Sequence, residues 1–418
     1  MLRIYRATNQ LLASFPPIGQ GRLAASLRGR RSAPDRWRSW AAHHRSEEPL
    51  VWFHASSVGE ARVVEAVAAE LSSVGPPVQC VLTYSSPSVS GWSIGGVRHT
   101  DFLPFDDPER HATLFAALQP SILAVARTDL WPELMREAAR SGVPTAVIGV
   151  RMTPEQTDRR RWLTPLYGPI WRSVSWWGAC TDRDAASLRN LGVPEDRVAV
   201  TGDPRHDGVL AAADNAEPPT VLRAWATDKT VVVAGSTHRS DEGVLLRAFA
   251  DWRSQRADAR LWMVPHEPSA ADTRRVVKRC NAAGLSVAIW TGTEPSPADD
   301  TAVLLILTRG MLQALYRLGA AAYVGGGFDR GGVHSVAEPV ACGVPAVVGP
   351  RAMHDDDARA LAAAGACTVL PQRGSVVALQ AAFNAASCTV GRAMPVAATL
   401  QPGAARRTAA RLIELLDS

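Results

Sequence analysis

Residues 51–60 read Val51-Trp52-Phe53-His54-Ala55-Ser56-Ser57-Val58-Gly59-Glu60, and the fold follows from how this stretch is read. A short apolar run, then small and polar residues, then an amphipathic stretch is the pattern of a buried parallel strand feeding a helix. Gly59 lets the backbone turn tightly, and a helix start offers unpaired amides and partial positive charge to an anion. Glu60 falls in the first helical turn. Ser57 and Glu60 also fit a capping box, S-x-x-E, so at this point a purely structural role stays open.

Working outward, the same rhythm recurs. Apolar runs at 51–55, 78–83, 122–126, 145–150 and 198–201 alternate with helical patterns, which predicts a doubly wound α/β domain over residues 49–210. Residues 211–220, with Asp214, Asn215, Glu217, Pro218 and Pro219, are polar and proline-bearing, as a linker would be. A second series at 230–234, 261–264, 287–290, 303–307, 321–325 and 346–349 predicts another α/β domain over residues 221–418. Two Rossmann-like domains facing a cleft describe the GT-B glycosyltransferase fold. In such sheets ligands bind beyond the carboxyl ends of the strands, so the loops after the strands are where chemistry is expected.

Composition agrees. A chain of 418 residues suits two domains, and 46% hydrophobic with 20% charged residues is a globular balance. The net charge of +5 is scattered and not gathered beside stacking aromatics, so no nucleic-acid partner is expected. Six cysteines stand far apart, without metal spacing, and read as buried hydrophobes in a reducing compartment. No apolar run reaches the roughly 20 residues of a membrane-spanning helix, and no signal peptide is evident, which places the body of the protein in the cytoplasm. Residues 1–48 differ from the rest: Arg3, Arg6, Arg22, Arg28, Arg30, Arg31, Arg36 and Arg38 surround Leu2, Ile4, Tyr5, Leu11, Leu12 and Phe15. That mixture suits a segment lying on an anionic membrane surface, or a basic arm packed on its own domain. Pro16 and Pro17 interrupt its helical pattern.

In the second half, Gly325-Gly326-Gly327 follow a strand and Gly331-Gly332 precede a helix expected from about His334, forming a Gly-rich loop that a phosphate could approach. Gly235-Ser236-Thr237 offer a second set of amides and hydroxyls. Glu338, four residues after His334, would share its helix face and could accept both hydroxyls of a ribose. A plain tight turn and a surface glutamate are the bland alternatives.

The string 52–60, WFHASSVGE, resembles the opening signature of the bacterial 3-deoxy-D-manno-octulosonic acid (Kdo) transferases. So do LTYSSPS at 82–88, LPFDDP at 103–108, TDLWPEL at 128–134, GVPTAVIGVRM at 142–152, TGDPRHD at 201–207, VAGSTHRSDE at 233–242, GMLQALYRLGAAAYVGGGF at 310–328 and GGVHSVAEPVACGVPAVVGP at 331–350, in family order. The resemblance implies transfer of Kdo from CMP-Kdo to a lipid A precursor, with Glu60 as catalytic base and Asp129 and Arg205 as charge stabilisers. It implies an acceptor side at Ser56, Ser57 and Gly59. A donor side is implied at Gly235, Ser236, Thr237, Pro265, His266, Arg309, Gly310, Met311, Gly326, Gly327, His334, Ser335, Val336, Ala337 and Glu338. Some positions depart from the pattern: Asp129 stands where glutamate is usual, and His266 where arginine is common.

A donor with one phosphate needs less metal help than a diphosphate, and no HEXXH, DXD-type pair or Cys/His cage is present, so neither metal nor cofactor is expected. The step expected is a single inverting displacement at the cytoplasmic face of the inner membrane, with the protein attached peripherally. Two other readings remain: another GT-B nucleotide-sugar transferase or epimerase, and a non-catalytic nucleotide-sugar-binding scaffold.

Overall fold

The structure, a computed structural model, describes residues 2–14, 21–152, 154–293, 295–329, 331–387 and 400–417. Phe15, Pro16, Pro17 and Cys388, and the side chains of Arg3, Ile4, Leu12 and Arg22, lie outside the described residues. The chain forms two compact units: 1–208 with 401–418, and 209–400.

The first unit is built on a seven-stranded sheet whose described pairings are all parallel. Its strands are β1 (Leu50–Ala55), β2 (Gln79–Tyr84), β3 (His99–Phe102), β4 (Ile122–Ala126), β5 (Thr145–Val150), β6 (Trp176–Ala179) and β7 (Val198–Val200), in the order β3-β2-β1-β4-β5-β6-β7. Strand order reverses at β1, which lies between β2 and β4; this is the switch point at which open α/β sheets place ligands. Every residue of β1 is buried, as a central parallel strand covered on both faces requires. The quoted stretch does what its pattern predicts: β1 is followed by Ser56 and Ser57 and then the helix Val58–Val74. Strands β3 and β6 were not read from the sequence, because His99-Thr100-Asp101-Phe102 is half polar and Trp176-Trp177-Gly178-Ala179 is short and follows a serine-broken run.

The basic N-terminal segment is not a free arm. Its helices span Leu2–Ser14 and Arg22–His44, and Ala33, Trp37 and Ala41 of the second join the core of the first unit. Trp37 is fully buried and its indole Nε1 donates to the Phe102 carbonyl at 3.1 Å. Arginines that read as lipid-facing are used internally: Arg6 pairs with Glu133 at 2.9 Å, Arg36 with Asp101 at 2.6 Å, and Arg30 donates to the Leu103 and Pro104 carbonyls. Tyr5 donates to the buried Asp106 at 2.7 Å, and Asp106 also accepts from His111 and from the amides of Glu133 and Leu134. An aliphatic-arginine pattern cannot distinguish lipid from a neighbouring acidic loop; of the two readings left open, these contacts support the arm packed on its own domain.

The second unit repeats the plan. Its strands are β8 (Thr230–Thr237), β9 (Ala259–Pro265), β10 (Val287–Trp290), β11 (Val303–Ile306), β12 (Ala321–Val324), β13 (Ala346–Val348) and β14 (Cys367–Val369), all parallel in the order β10-β11-β9-β8-β12-β13-β14. Residues 211–220 are not an extended linker: helices Pro204–Asn215 and Thr220–Ala226 occupy most of them, and the boundary between units falls after Gly208. Nor does the second domain run to 418. The C-terminal helix Ala404–Leu416 packs in the first unit, where Ala405, Ala409, Leu412 and Leu415 are core residues. Asp207 fixes its start by accepting from the amides of Gly403 and Ala405. Among the described residues no helix is long and apolar enough to cross a membrane. Cys80, Cys180, Cys280 and Cys367 are buried free thiols, pushed up to about 12 by burial.

Candidate active site

At the carboxyl end of β1 the helix Val58–Val74 begins with Ser57 as its N-cap, whose hydroxyl accepts from the Glu60 amide at 3.4 Å. Glu60 completes only half of a capping box. Its Oε2 accepts from the Ser56 amide at 2.6 Å and the Ser56 hydroxyl at 2.8 Å, one residue before the cap. Burial is the main cause holding the Glu60 carboxyl above its ordinary value; the Ser56 hydrogen bonds pull the other way, and the nearby Asp129 charge raises it further. The side chain is thus both a local brace and a carboxyl whose proton affinity burial has raised.

Beside it sits Asp129, expected as a charge stabiliser, paired with His54, to which the sequence reading gave no role. His54, fully buried at the end of β1, has Nδ1 3.0 Å from both the Thr83 carbonyl and hydroxyl, and Nε2 3.1 Å from Asp129 Oδ2. Asp129 Oδ2 also accepts from Trp131 Nε1 at 3.0 Å. Burial works against the Asp129 carboxylate, but the His54 and Trp131 hydrogen bonds and the His54 and Arg30 charges outweigh it and hold its pKa below the ordinary value. The shorter acid at position 129 is therefore ionised and anchored. The signal that could have found His54 is a histidine inside an otherwise apolar central strand.

Arg205 is placed differently from the expectation of a free stabiliser. Its guanidinium holds Asp203 at 2.8 Å, and the same carboxylate accepts from Arg127 at 3.0 Å and Arg151 at 2.9 Å. Asp203 is buried, yet these three cations hold its carboxyl well below the ordinary value, overcoming the burial that would raise it. The three guanidiniums gather around this carboxylate at the carboxyl ends of β4, β5 and β7. Arg127 adopts φ 63°, a left-handed conformation disfavoured for an L-residue that carries a Cβ, and its guanidinium donates to the Gly149 carbonyl at 2.6 Å. Arg127 and Arg151 directly follow strands read from the sequence, and that position was the available signal.

In the second unit the glycines have a packing reason first. A Cβ on Gly326, at φ +90°, would lie 2.2 Å from the Gly332 oxygen; one on Gly325 would lie 2.2 Å from the Ser236 oxygen; one on Gly235 would lie 2.1 Å from the Tyr316 hydroxyl. Gly327 and Gly349 abut backbone to backbone. The Gly326 amide, read as a phosphate donor, is bound by Asp241 at 3.0 Å, and Asp241 also accepts from the His238 amide and the Tyr323 hydroxyl. Ser236 is left-handed at φ 50°, and Thr237 is buried.

The helix expected from His334 begins instead at Ala337 and ends at Ala341, so His334 lies in the loop and the four-residue helical spacing to Glu338 does not apply. Ser335 is exposed, Val336 and Ala337 are buried, and Glu338 is half-buried near Tyr316, whose hydroxyl is raised by burial and then by the Glu338 charge. Arg309 and Gly310 are exposed before Met311, the N-cap of Leu312–Tyr316. His266, after Pro265, stacks with His238 at a ring-centroid distance of 5.2 Å and lies tilted against His334 at 4.2 Å. His334 is pushed down to about 4 by burial and by its two neighbours.

Two doubly wound units of this topology, with polar side chains at the carboxyl ends of their strands, give the chain the GT-B fold. Residues 31–208 match the family described as 3-deoxy-D-manno-octulosonic-acid transferase. A relative named 3-deoxy-D-manno-octulosonic acid transferase from Bordetella pertussis is 29% identical over 78% of this chain and 78% of its own length. The transferase of the same name from Chlamydia pneumoniae is 28% identical over 74% and 71%. The match over residues 31–208 and relatives of that name at 23–29% identity over most of the chain support the Kdo transferase family. Among solved structures, UDP-GlcNAc 2-epimerase from Neisseria meningitidis is similar at TM-score 0.58 and 13% identity, covering 88% of this chain and 98% of that one, a likeness of fold.

Proposed function

We propose that this chain transfers Kdo from CMP-Kdo to a hydroxyl of a lipid A precursor, with inversion and with Glu60 as the general base. In the step, Glu60 takes the acceptor hydroxyl proton, the oxygen bonds to the anomeric carbon of Kdo, and the bond to the phosphate breaks, its electron pair leaving with CMP. The observation that carries the reading is the Glu60 carboxyl: it stands at the carboxyl end of the central strand, at a helix start, raised chiefly by burial. Asp129, fixed by His54, adds negative charge that favours proton uptake there. The guanidiniums of Arg127, Arg151 and Arg205, gathered at the carboxyl ends of the strands, are the donor type that recognises an anionic group of a ligand, such as the Kdo carboxylate or a lipid A phosphate. Residues 235–237, 265–266, 309–311, 326–327 and 334–338 supply the CMP side, with Glu338 for the ribose.

Incubating the purified protein with a CMP-Kdo generating system and tetraacylated lipid A precursor tests this by mass spectrometry. A product heavier by one or more Kdo residues is expected. Turnover of a UDP-sugar without any Kdo product would favour the transferase or epimerase alternative, and CMP binding without turnover the scaffold.

Peripheral attachment to the cytoplasmic face of the inner membrane is part of the proposal. Support comes from large apolar side chains left exposed in the first unit: Leu11, Leu23, Trp162 and Leu163. Because Trp37 and Ala33 are core residues, deleting the N-terminal segment would damage the fold; replacing Leu11, Leu23 and Trp162 by serine is the cleaner test. Flotation with anionic liposomes should fall in that variant, and undiminished flotation would exclude these residues as the anchor.

A further inference from the structure

Three neighbouring strands of the second unit each deliver a histidine at the carboxyl edge of the sheet. His238 follows β8, His266 follows β9 and His334 lies in the loop after β12, and the sheet order places β8 between the other two. One ring nitrogen from each falls within 4.8 Å of the others. His238 Nε2 and His334 Nε2 face each other at 2.7 Å, and the His266 and His334 ring centroids are 4.2 Å apart. His238 and His334 are half-buried and His266 exposed, so the cluster opens to solvent.

The hydrogen bonding around the cluster has a direction. The Nδ1 of His238 lies 3.3 Å from Asp329 Oδ2, a carboxylate that also accepts from the Ser240 hydroxyl. A carboxylate on Nδ1 keeps the proton there and turns the Nε2 lone pair toward His334. That is how a second-shell acid orients a ligating imidazole. With the lone pair of His238 Nε2 presented, the 2.7 Å approach is held by a single proton on His334 Nε2. A metal ion can take that proton's place.

We propose that His238, His266 and His334 form a binding site for a borderline divalent transition-metal ion such as Zn2+, with Asp329 as the carboxylate that orients His238. Neutral imidazoles suit Zn2+, Ni2+, Co2+ and Cu2+, while Mg2+ and Ca2+ prefer oxygen ligands. Zinc–nitrogen bonds of about 2.05 Å in tetrahedral geometry put two ligand nitrogens roughly 3.3 Å apart. The facing nitrogens need to separate by only about 0.6 Å on that geometry, which side-chain rotation supplies. Three protein ligands leave a position open, the arrangement in which zinc takes an exchangeable oxygen ligand from water or a phosphate. The site stands on the three imidazoles alone and does not depend on the reaction proposed above. Sequence spacing could not show it, because the three histidines come from three separate strand-to-loop junctions.

The test is titration of the purified full-length chain with Zn2+ alone, in competition with a chromophoric chelator, and with Co2+ alone read by its visible ligand-field bands. One tight equivalent is expected, with Co2+ bands of a nitrogen-rich site. His334→Gln and the exposed His266→Gln should each abolish the tight equivalent. Asp329→Asn should weaken it by about 10–100-fold, the usual effect of losing an orienting carboxylate. His43→Gln/His44→Gln, on the N-terminal helix, should leave it unchanged. Melting curves of the metal-free variants establish that they are folded; His266→Gln, at an exposed position, keeps the test decisive if His334→Gln does not fold. No tight equivalent in the native chain, or one that survives His266→Gln, overturns the proposal.

Discussion

Replacing Asp203 by asparagine keeps the shape of the side chain and removes its charge. In the native chain this carboxylate is 1% exposed and is shared by Arg127, Arg151 and Arg205, whose side chains are 14%, 16% and 29% exposed. Losing one partner of a buried ion pair costs about 3–5 kcal/mol because the remaining charge is stranded. Here the arginines keep some contact with water, so the low end, about 3 kcal/mol, is expected. For a unit of this size about 1 kcal/mol moves the melting temperature by roughly 2–4 °C, giving a fall of about 6–12 °C. The folded carboxyl is held below its unfolded value, so its stabilisation is complete above the ordinary aspartate pKa of about 3.9 and is lost only as pH falls through the lower folded value. The difference between variant and native chain should therefore be the same at pH 8 and pH 5. Thermal unfolding followed by circular dichroism at both values measures it. Inorganic phosphate should restore more stability to the variant than to the native chain, since the variant has lost the carboxylate that the three guanidiniums share. A fall below about 2 °C, less than 1 kcal/mol on this scale, or one that halves between pH 8 and 5, would refute the reasoning.

Other outcomes follow from single positions. Gly326→Ala places a Cβ 2.2 Å from the Gly332 oxygen at φ +90°, so the second unit should lose at least about 1–3 kcal/mol; an unchanged melting curve would show that the loop can shift freely. Trp37→Ala removes a fully buried indole and its bond to Phe102, and a loss of about 3–5 kcal/mol is expected in urea unfolding; a loss under 1 kcal/mol would mean the N-terminal helices do not belong to the first unit's core. The acid limb of kcat/KM should lie above the ordinary glutamate pKa of about 4.3, because the raised Glu60 carboxyl accepts a proton only once it is ionised. Asp129→Asn removes a charge that raises Glu60, so it should move that limb to lower pH; a limb that stays put or moves up contradicts the coupling.

Much of the fold was legible because a parallel sheet writes itself as short apolar runs: β4, β5 and β10 fall where those runs fall. β3 was missed because His99 and Asp101 sit beside Trp37, Trp40 and Arg36 of the N-terminal helix, and partners from elsewhere in the chain let a half-polar strand be buried. The return of the helix Ala404–Leu416 to the first unit was equally illegible. Its amphipathic pattern says that one face is buried but not against which unit, and the answer depends on Asp207 capping Gly403 and Ala405. At the site, Glu60 was found because strand, turn glycine and helix start are contiguous. The Asp129–His54 pair and the Asp203 cluster join residues from different strands, and a linear pattern carries no record of which strands are neighbours.

The account turns on Glu60, and Glu60→Gln separates its two possible duties. Glutamine can still accept from the Ser56 amide and hydroxyl, so the helix start and the melting temperature should be nearly unchanged. It cannot take up the acceptor's proton, so Kdo transfer to the lipid A precursor should fall by about 100-fold or more while CMP binding is retained. Measured on one folded preparation, loss of transfer with retained CMP binding is the predicted result; Kdo transfer at near-native rate by Glu60→Gln would contradict the account.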